Sequence, residues 1–89
     1  MNAHTCHPEI VTRLKRAAGH LNKVIAMIEA GEACEKVAQQ LQAVTNALST
    51  AKRQYVTDHI DNCLDVQEDM TMREVTEQLK ALKSMAKYL

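Results

Sequence analysis

The sequence places a histidine and a cysteine one helical turn apart, His59 and Cys63, and a second cysteine, Cys34, 25 residues before the histidine. On a helix, side chains four residues apart project from one face, so His59 and Cys63 can share a small ligand. Two thiolates and one imidazole suit three-coordinate Cu(I), or Ni(II), Co(II) or Zn(II) with one further ligand. The alternative is that all three are ordinary interface residues, because buried cysteine packs as a small hydrophobe and histidine often only forms a hydrogen bond.

The composition predicts that helices position these residues. The chain has no Trp or Phe, two Gly and one Pro, which favours an all-α fold without a sheet. Pro8 is a good first helical residue, Gly31 a good residue just past a helix end, and Thr71 with Glu74 matches a capping box. We therefore predict three helices, the central one long, at about residues 8–30, 32–66 and 72–88.

Apolar residues recur at alternating steps of four and three in each predicted helix, which indicates one packing stripe per helix. The stripes are Ile10, Leu14, Ala17, Leu21, Val24 and Ile28; Val37, Leu41, Val44, Leu48, Ala51 and Tyr55; and Val75, Leu79, Leu82, Met85 or Ala86, and Leu89. At about 1.5 Å per residue the second helix spans roughly 45 to 50 Å, longer than a compact chain of this size is wide. A partner must cover what it exposes.

The length of the second helix also separates the three candidate ligands. Cys34 and His59 are about 37 Å apart along a continuous helix, so one chain cannot bring them together. Two copies of the helix packed antiparallel about a two-fold axis, crossing near Ala47 and Leu48, place Cys34 of one copy near His59 and Cys63 of the other. The spacing thus predicts a homodimer with two equivalent shared sites.

The remaining features limit the class of protein. With 89 residues we expect a single domain over 1–89, with residues 1–7 as a flexible tail. Three widely spaced cysteines without a secretion signal favour reduced thiols and a cytoplasmic location, and no apolar run is long enough to span a membrane. No carboxylate pair, activated nucleophile or phosphate-binding loop is present, so we expect no enzyme.

The N-terminal tail holds three further metal-binding side chains, His4, Cys6 and His7. If the tail folds over the site, these side chains can complete a four- to six-coordinate shell for Ni(II) or Co(II). The alternative is a disordered tail in which they occur by chance.

Several segments of the chain together form a distinctive pattern: Arg-Leu-Lys and Gly-His-Leu within 13–21, Met-Ile-Glu-Ala-Gly ending at 31, Cys34, Gln-Gln-Leu-Gln-Ala-Val over 39–44, and His59 with Cys63. This pattern resembles that of the CsoR/RcnR family of metal-responsive transcriptional repressors. The resemblance implies a helical dimer that pairs into a tetramer, binds operator DNA when metal-free and releases it when metal binds, inducing efflux or detoxification genes. It also implies that Cys34, His59 and Cys63 are the sensing residues.

Within this resemblance, Cys63 favours Cu(I), because members with the Cys-His-Cys set look like Cu(I) sensors and relatives with histidine at the last position look like Ni(II) or Co(II) sensors. Some members with the same Cys-His-Cys set nevertheless respond to Ni(II). Asn2 and His59 depart from the patterns of the formaldehyde and persulfide sensors of the family. Ala33 stands where copper-sensing relatives often carry a tyrosine beside the first cysteine. Glu77 resembles the acidic residue of the family that lies just outside the metal ligands.

Basic residues of the first helix predict a nucleic-acid surface although the net charge is zero. Arg13, Arg16, His20 and Lys23 follow at steps of three, four and three and therefore share one face. Lys15, Lys52 and Arg53 are further candidates. The alternatives are a merely solvated face and a cytosolic metal-buffering protein with no DNA role, but repetition of these charges in a tetramer can build a basic surface.

Overall fold

The computed structural model describes residues 7–63 and 67–89, without the side chains of residues 62 and 63. It contains three helices in the described residues: α1 over Pro8–Glu29, α2 over Cys34–Cys63 and α3 over Met72–Ala86. The predicted all-α fold with a long central helix is confirmed. Helix α2 begins two residues later than predicted, and the predicted extension to residue 66 lies outside the described residues.

The chain divides into two compact units, which we describe separately. The hairpin unit, residues 8–51, contains α1 and the first part of α2. The described residues of the C-terminal unit are His7, 52–63 and 67–89, and they include the rest of α2 and the whole of α3. No helix within the described residues is both long and apolar enough to cross a bilayer.

Gly31 ends α1 in the way its position in the sequence predicts. Its φ of 72° lies in the left-handed region that glycine adopts without penalty. The backbone N–H of Glu32 donates to the Met27 carbonyl (3.1 Å) and that of Gly31 to the Ile28 carbonyl (3.0 Å). This pair of bonds is a Schellman motif, which satisfies carbonyls at the helix end and reverses the chain into α2.

The start of α3 is equally well explained by local sequence. The Thr71 backbone N–H donates to Glu74 Oε1 (2.8 Å), and the Glu74 N–H donates to Thr71 Oγ1 (3.1 Å). This reciprocal pair is the predicted capping box. The Thr71 backbone N–H, followed by its side chain, holds the pKa of the exposed Glu74 carboxyl below its usual value.

The core of the hairpin unit uses only part of each predicted stripe. Its buried apolar side chains are Ile10, Ala17, Val24, Met27, Val44 and Ala51. Seven large aliphatic side chains of the same two helices remain between 39% and 57% exposed: Val11, Leu14, Leu21, Ile25, Ile28, Leu41 and Leu48. Within the single chain, the predicted stripes of α1 and α2 are therefore only partly buried, and the rest of each stripe is left for a partner to cover. The stripe predicted to be buried in α3 is also incomplete, with Leu79 and Leu89 exposed.

The periodicity of the helix explains this division. Steps of four and three generate two lines of residues, each with a period of seven, and one neighbouring helix covers only one of them. In α1 the exposed Leu14 and Leu21 each stand three residues before a buried residue, Ala17 or Val24. Three residues correspond to a rotation of about 60° around the helix.

The same offset occurs in α2, where Leu41 precedes Val44 and Leu48 precedes Ala51 by three residues. Because α1 and α2 run antiparallel, equal rotations from the shared core turn both exposed lines toward the same side of the hairpin. We call the seven exposed aliphatic side chains of this side the apolar face.

Candidate functional site

The opposite side of the hairpin unit carries a polar groove between α1 and α2. Here the relevant residues follow the buried or half-buried residues of each helix by three positions instead of preceding them, as His20 follows the buried Ala17 and Gln40 follows the half-buried Val37. His20 Nε2 and Gln40 Oε1 are 2.7 Å apart in a half-buried hydrogen bond between the two helices. This contact fixes the pairing of α1 with α2 beside the groove.

The groove has a volume of about 310 Å³. Helix α1 contributes the side chains of Arg13, Arg16 and His20, and α2 contributes Asn46 and Thr50. Of the predicted DNA contacts, Arg13, Arg16 and His20 line it, whereas Lys15, Lys23, Lys52 and Arg53 are exposed elsewhere. Their roles as DNA contacts stay predictions.

Sequence reasoning did not identify Gln40, Asn46 or Thr50, because uncharged polar residues on a helix give no signal of their own. They can be identified only from their position around α2 relative to its buried residues. Once Val44 and Ala51 are known to be buried, helical geometry places Ala47 and the polar residues near it on the same side as His20. That knowledge requires the tertiary structure.

The candidate metal ligands lie at the two ends of α2. Cys34 is the first residue of the helix and its thiol is free and exposed, His59 is half-buried, and Cys63 is the last residue of the helix, with a side chain that the structure does not describe. Among the side chains that the structure describes, no three His, Cys, Asp or Glu groups lie close enough to hold a metal ion. Glu77 is exposed on α3, and its role just outside the metal ligands stays a prediction.

His7 is the one N-terminal candidate ligand within the described residues, since His4 and Cys6 lie outside them. Its side chain is only 14% exposed, and Nδ1 lies 3.6 Å from Asp58 Oδ2. Its ring meets that of Tyr55 edge-on, with centroids 5.1 Å apart. Position 7, which we assigned to the flexible tail, is thus packed against α2 next to the residue that precedes His59.

Similar proteins place the whole chain in a functional context. In solved structures, it resembles the nickel-responsive transcriptional regulator InrS with a TM-score of 0.77 and 26% identity, covering 100% of this chain and 99% of that one. It is 40% identical over 53 residues to the copper-sensing transcriptional repressor CsoR of Mycobacterium ulcerans strain Agy99. It is 34% identical over 53 residues to the protein of the same name from Mycobacterium tuberculosis strain H37Rv.

The two mycobacterial matches cover 60% of this chain but only 45% and 44% of those relatives, so the matched segment spans less than half of their length. The family model described as metal-sensitive transcriptional repressor matches residues 7–87, nearly the whole chain. The chain therefore belongs to the metal-sensitive transcriptional repressor family, which is a family of regulators and not of enzymes.

Proposed function

We propose that the chain acts as one metal-sensing, DNA-binding domain that represses transcription. It binds operator DNA when metal-free and releases it on binding a transition metal, which derepresses genes for metal efflux or detoxification. The observation that carries this proposal is the family match over residues 7–87. The copper-sensing and nickel-responsive relatives support it.

The apolar face supports assembly of the protein as a homodimer that pairs into a homotetramer. Residues such as Leu14, Leu21 and Ile28 remain about half exposed although they lie in well-formed helices. Burying them removes apolar surface from water, and their three-four spacing is that of helical packing seams. Continuous apolar faces of this kind mark interaction sites, and a two-fold axis lets one such face cover itself.

The donor set fits a transition metal if two copies of α2 contribute. The 30-residue helix carries Cys34 at one end and His59 with Cys63 at the other. We propose that Cys34 of one subunit and His59 and Cys63 of the partner subunit hold the ion. When bound, the ion supplies coordinate bonds that tie the two subunits together.

We propose Cu(I) as the metal, because two thiolates and one imidazole form a soft, low-coordinate set. Ni(II) or Co(II) is the second candidate, and the position of His7 favours it. His7 packs beside Asp58 in the same unit as His59, and this position supports the participation of an N-terminal ligand at the end of α2. The likeness to a nickel-responsive regulator also supports this alternative.

The proposed switch is thermodynamic linkage between the two ligands. Holding Cys34 together with the partner's His59 and Cys63 selects one pairing of the α2 helices, and α2 forms one wall of the polar groove. If that pairing binds DNA poorly, metal weakens DNA binding and DNA weakens metal binding by the same factor. Couplings of this kind are typically about 1 to 3 kcal/mol.

The direct test begins by selecting DNA duplexes from a random pool with the reduced, metal-free protein. Fluorescence anisotropy then measures the affinity of the best duplex before and after one equivalent of Cu(I), Ni(II) or Co(II) per subunit. We expect the cognate metal to weaken binding by about 5- to 150-fold. Unchanged affinity with every metal, or failure to select any duplex, contradicts the proposed function.

A mixing experiment tests whether the site is shared between subunits. Cys34→Ala and Cys63→Ala each damage both sites of a homodimer, but a mixed dimer pairs the intact Cys34 of one chain with the intact His59 and Cys63 of the other. Random exchange between equal amounts restores about a quarter of the high-affinity sites. If all three ligands came from one chain, mixing would restore none, and metal titration of the mixture distinguishes these results.

A further inference from the structure

We propose that the polar groove of the hairpin unit binds one tetrahedral oxyanion, gripped from both sides by Arg13 and Arg16 of α1 and by Asn46 and Thr50 of α2. The anion is either a backbone phosphate of DNA, in which case the inference rests on the proposed function, or free inorganic phosphate. The chemistry is the same for both sources, because both present negatively charged oxygens that accept hydrogen bonds.

The two arginines supply positive charge that nothing in the described structure neutralises. Both side chains are exposed, and neither guanidinium lies within 4.0 Å of a carboxylate oxygen of any described residue. By contrast, Lys36 on α2 is paired with Glu32 at 3.0 Å. A planar guanidinium offers several N–H donors in a fixed arrangement that matches phosphate oxygens, so two of them beside one groove favour an oxyanion.

The α2 wall contributes donors instead of competing charges. Asn46 Oδ1 accepts a hydrogen bond from Gln42 Nε2 (2.9 Å), which leaves the Asn46 amide N–H groups as its donors. Thr12, Thr45 and Thr76 each donate their hydroxyl to the carbonyl four residues earlier.

Thr50 differs from these threonines, since within the described residues its hydroxyl makes no such bond. Its hydroxyl is therefore available to a ligand in the groove. Together with the Asn46 amide it gives α2 two neutral donors opposite the two arginines of α1.

A second groove on the other side of the same two arginines provides an internal comparison. It has a volume of about 390 Å³ and is lined by Arg13 and Arg16 together with Pro8, Glu9 and Thr12. Glu9 brings a carboxylate that repels an anion, and the Thr12 hydroxyl already donates to the Pro8 carbonyl at 2.9 Å. The interhelical groove is the better anion site because no carboxylate lines it and its Asn46 and Thr50 side chains can donate hydrogen bonds.

An anion in this groove bridges the two helices of the hairpin. The groove lies beside the His20–Gln40 hydrogen bond, which sets the distance between its walls. A shift of α2 along α1 would separate Asn46 and Thr50 from the arginines and weaken the anion site.

The experiment titrates inorganic phosphate into the full-length, metal-free, isotope-labelled protein, replacing chloride at constant ionic strength. NMR follows the side-chain amide of Asn46 and the backbone amide of Thr50. We expect saturable shifts of both, a loss of phosphate affinity of roughly tenfold in Arg16→Gln, and a loss of about three- to tenfold in Thr50→Val and in Asn46→Leu. Arg73→Gln and Thr76→Val on α3 remove the same groups outside the groove and leave the titration unchanged.

A parallel arm measures binding of the same variants to a DNA duplex across salt concentrations. If the anion is a DNA phosphate, Arg16→Gln weakens duplex binding and reduces the salt dependence by about one phosphate contact per engaged groove. If the variants alter phosphate binding but the wild-type protein binds no duplex, the groove is a site for free phosphate. The oxyanion proposal then stands while the proposed function fails.

Two results overturn the oxyanion proposal. The first is the absence of saturable phosphate shifts in a protein that still binds duplex and releases it with metal. The second is wild-type phosphate affinity in both Thr50→Val and Asn46→Leu, which removes the role of the α2 wall. In either case the proposed repressor function is unaffected.

Discussion

The two sides of the α1–α2 hairpin are built from the same helical turns but differ in chemistry. On one side, residues three positions before the buried line are large and aliphatic, as with Leu21 and Leu41. On the other, residues three positions after it are polar or cationic, as with His20 and Gln40. The buried residues therefore separate a face suited to packing against protein from a groove suited to binding an anion. Around each helix, the residues of the face and those of the groove lie about 120° apart.

The largest expected effect comes from placing charge on the apolar face. Leu21→Glu together with Leu41→Glu would bury carboxylates in the proposed subunit interface, where they have no partner. We expect the subunit dissociation constant to rise at least about a hundredfold, with loss of high-affinity metal binding. Light scattering after size-exclusion chromatography measures the assembly.

Gln39→Glu is the control for that change, because it adds a single carboxylate at an exposed position of α2 that does not belong to the apolar face. It should retain the assembly of the wild-type protein. If the double variant also remains assembled, the apolar face is not the subunit interface, and the proposed role of this side of the hairpin is wrong.

The next largest effect concerns the polar side. Gln40→Leu removes the 2.7 Å partner of His20 and leaves that ring half-buried beside an aliphatic side chain. We expect the free energy of unfolding to fall by about 1 to 3 kcal/mol and DNA affinity to fall about threefold, with the assembly unchanged. Gln39→Leu, one residue earlier and exposed, should change neither quantity. Equal effects of the two substitutions in urea unfolding and anisotropy would show that the interhelical bond does not organise the groove.

A smaller effect, located outside both sides of the hairpin, comes from the α3 cap. Thr71→Ala removes the hydroxyl that accepts from the Glu74 N–H and should destabilise the helix by about 1 kcal/mol without altering assembly or DNA binding. Circular dichroism and urea unfolding measure this change. A loss of DNA affinity in this variant would mean that α3 contributes to the groove's function.

The same cap predicts a pH dependence. Bonding to Thr71 lowers the pKa of Glu74 in the folded state below its usual value, so the ionised carboxylate stabilises the fold at any pH above that usual value. This contribution is lost as the pH falls through the lowered pKa of the folded state. Glu74→Gln, which removes the titrating carboxyl, should therefore show a weaker acid dependence of α3 helicity than the wild-type protein, and identical acid titrations by circular dichroism would refute this explanation.

Local features of the fold could be predicted from sequence because they depend on neighbours along the chain. Pro8, Gly31 and the Thr71–Glu74 pair specify helix ends through backbone geometry and short-range hydrogen bonds. The apolar periodicity also predicted three helices and the need for a partner. It could not predict which line of the stripe is buried, because that depends on the rotation of α1 about its axis against α2.

The site was predictable only in part for the same reason. Cys34, His59 and Cys63 attract attention by residue type, and Arg13 and Arg16 by charge and spacing. The hydrogen-bond donors that α2 contributes to the groove stand out neither by residue type nor by charge. His7 was assigned to a flexible tail, although it packs against Asp58. The role of such residues depends on the opposing helix, so it can be identified only once the position of that helix is known.

The smallest expected effects come from the two glycines, and they have opposite signs. Gly19 lies within α1 with open space where a Cβ would stand, so Gly19→Ala should raise the free energy of unfolding by about 0.5 to 1 kcal/mol. Gly31 also has open space, but its φ of 72° disfavours any side chain, so Gly31→Ala should lower that free energy by about 1 kcal/mol. Urea unfolding of both variants under reducing conditions measures the difference. Because neither residue belongs to the apolar face or lines the groove, assembly and DNA affinity should match the wild-type values. A change of the same sign in the free energy of unfolding of both variants would contradict the assignment of Gly31 to a left-handed helix cap.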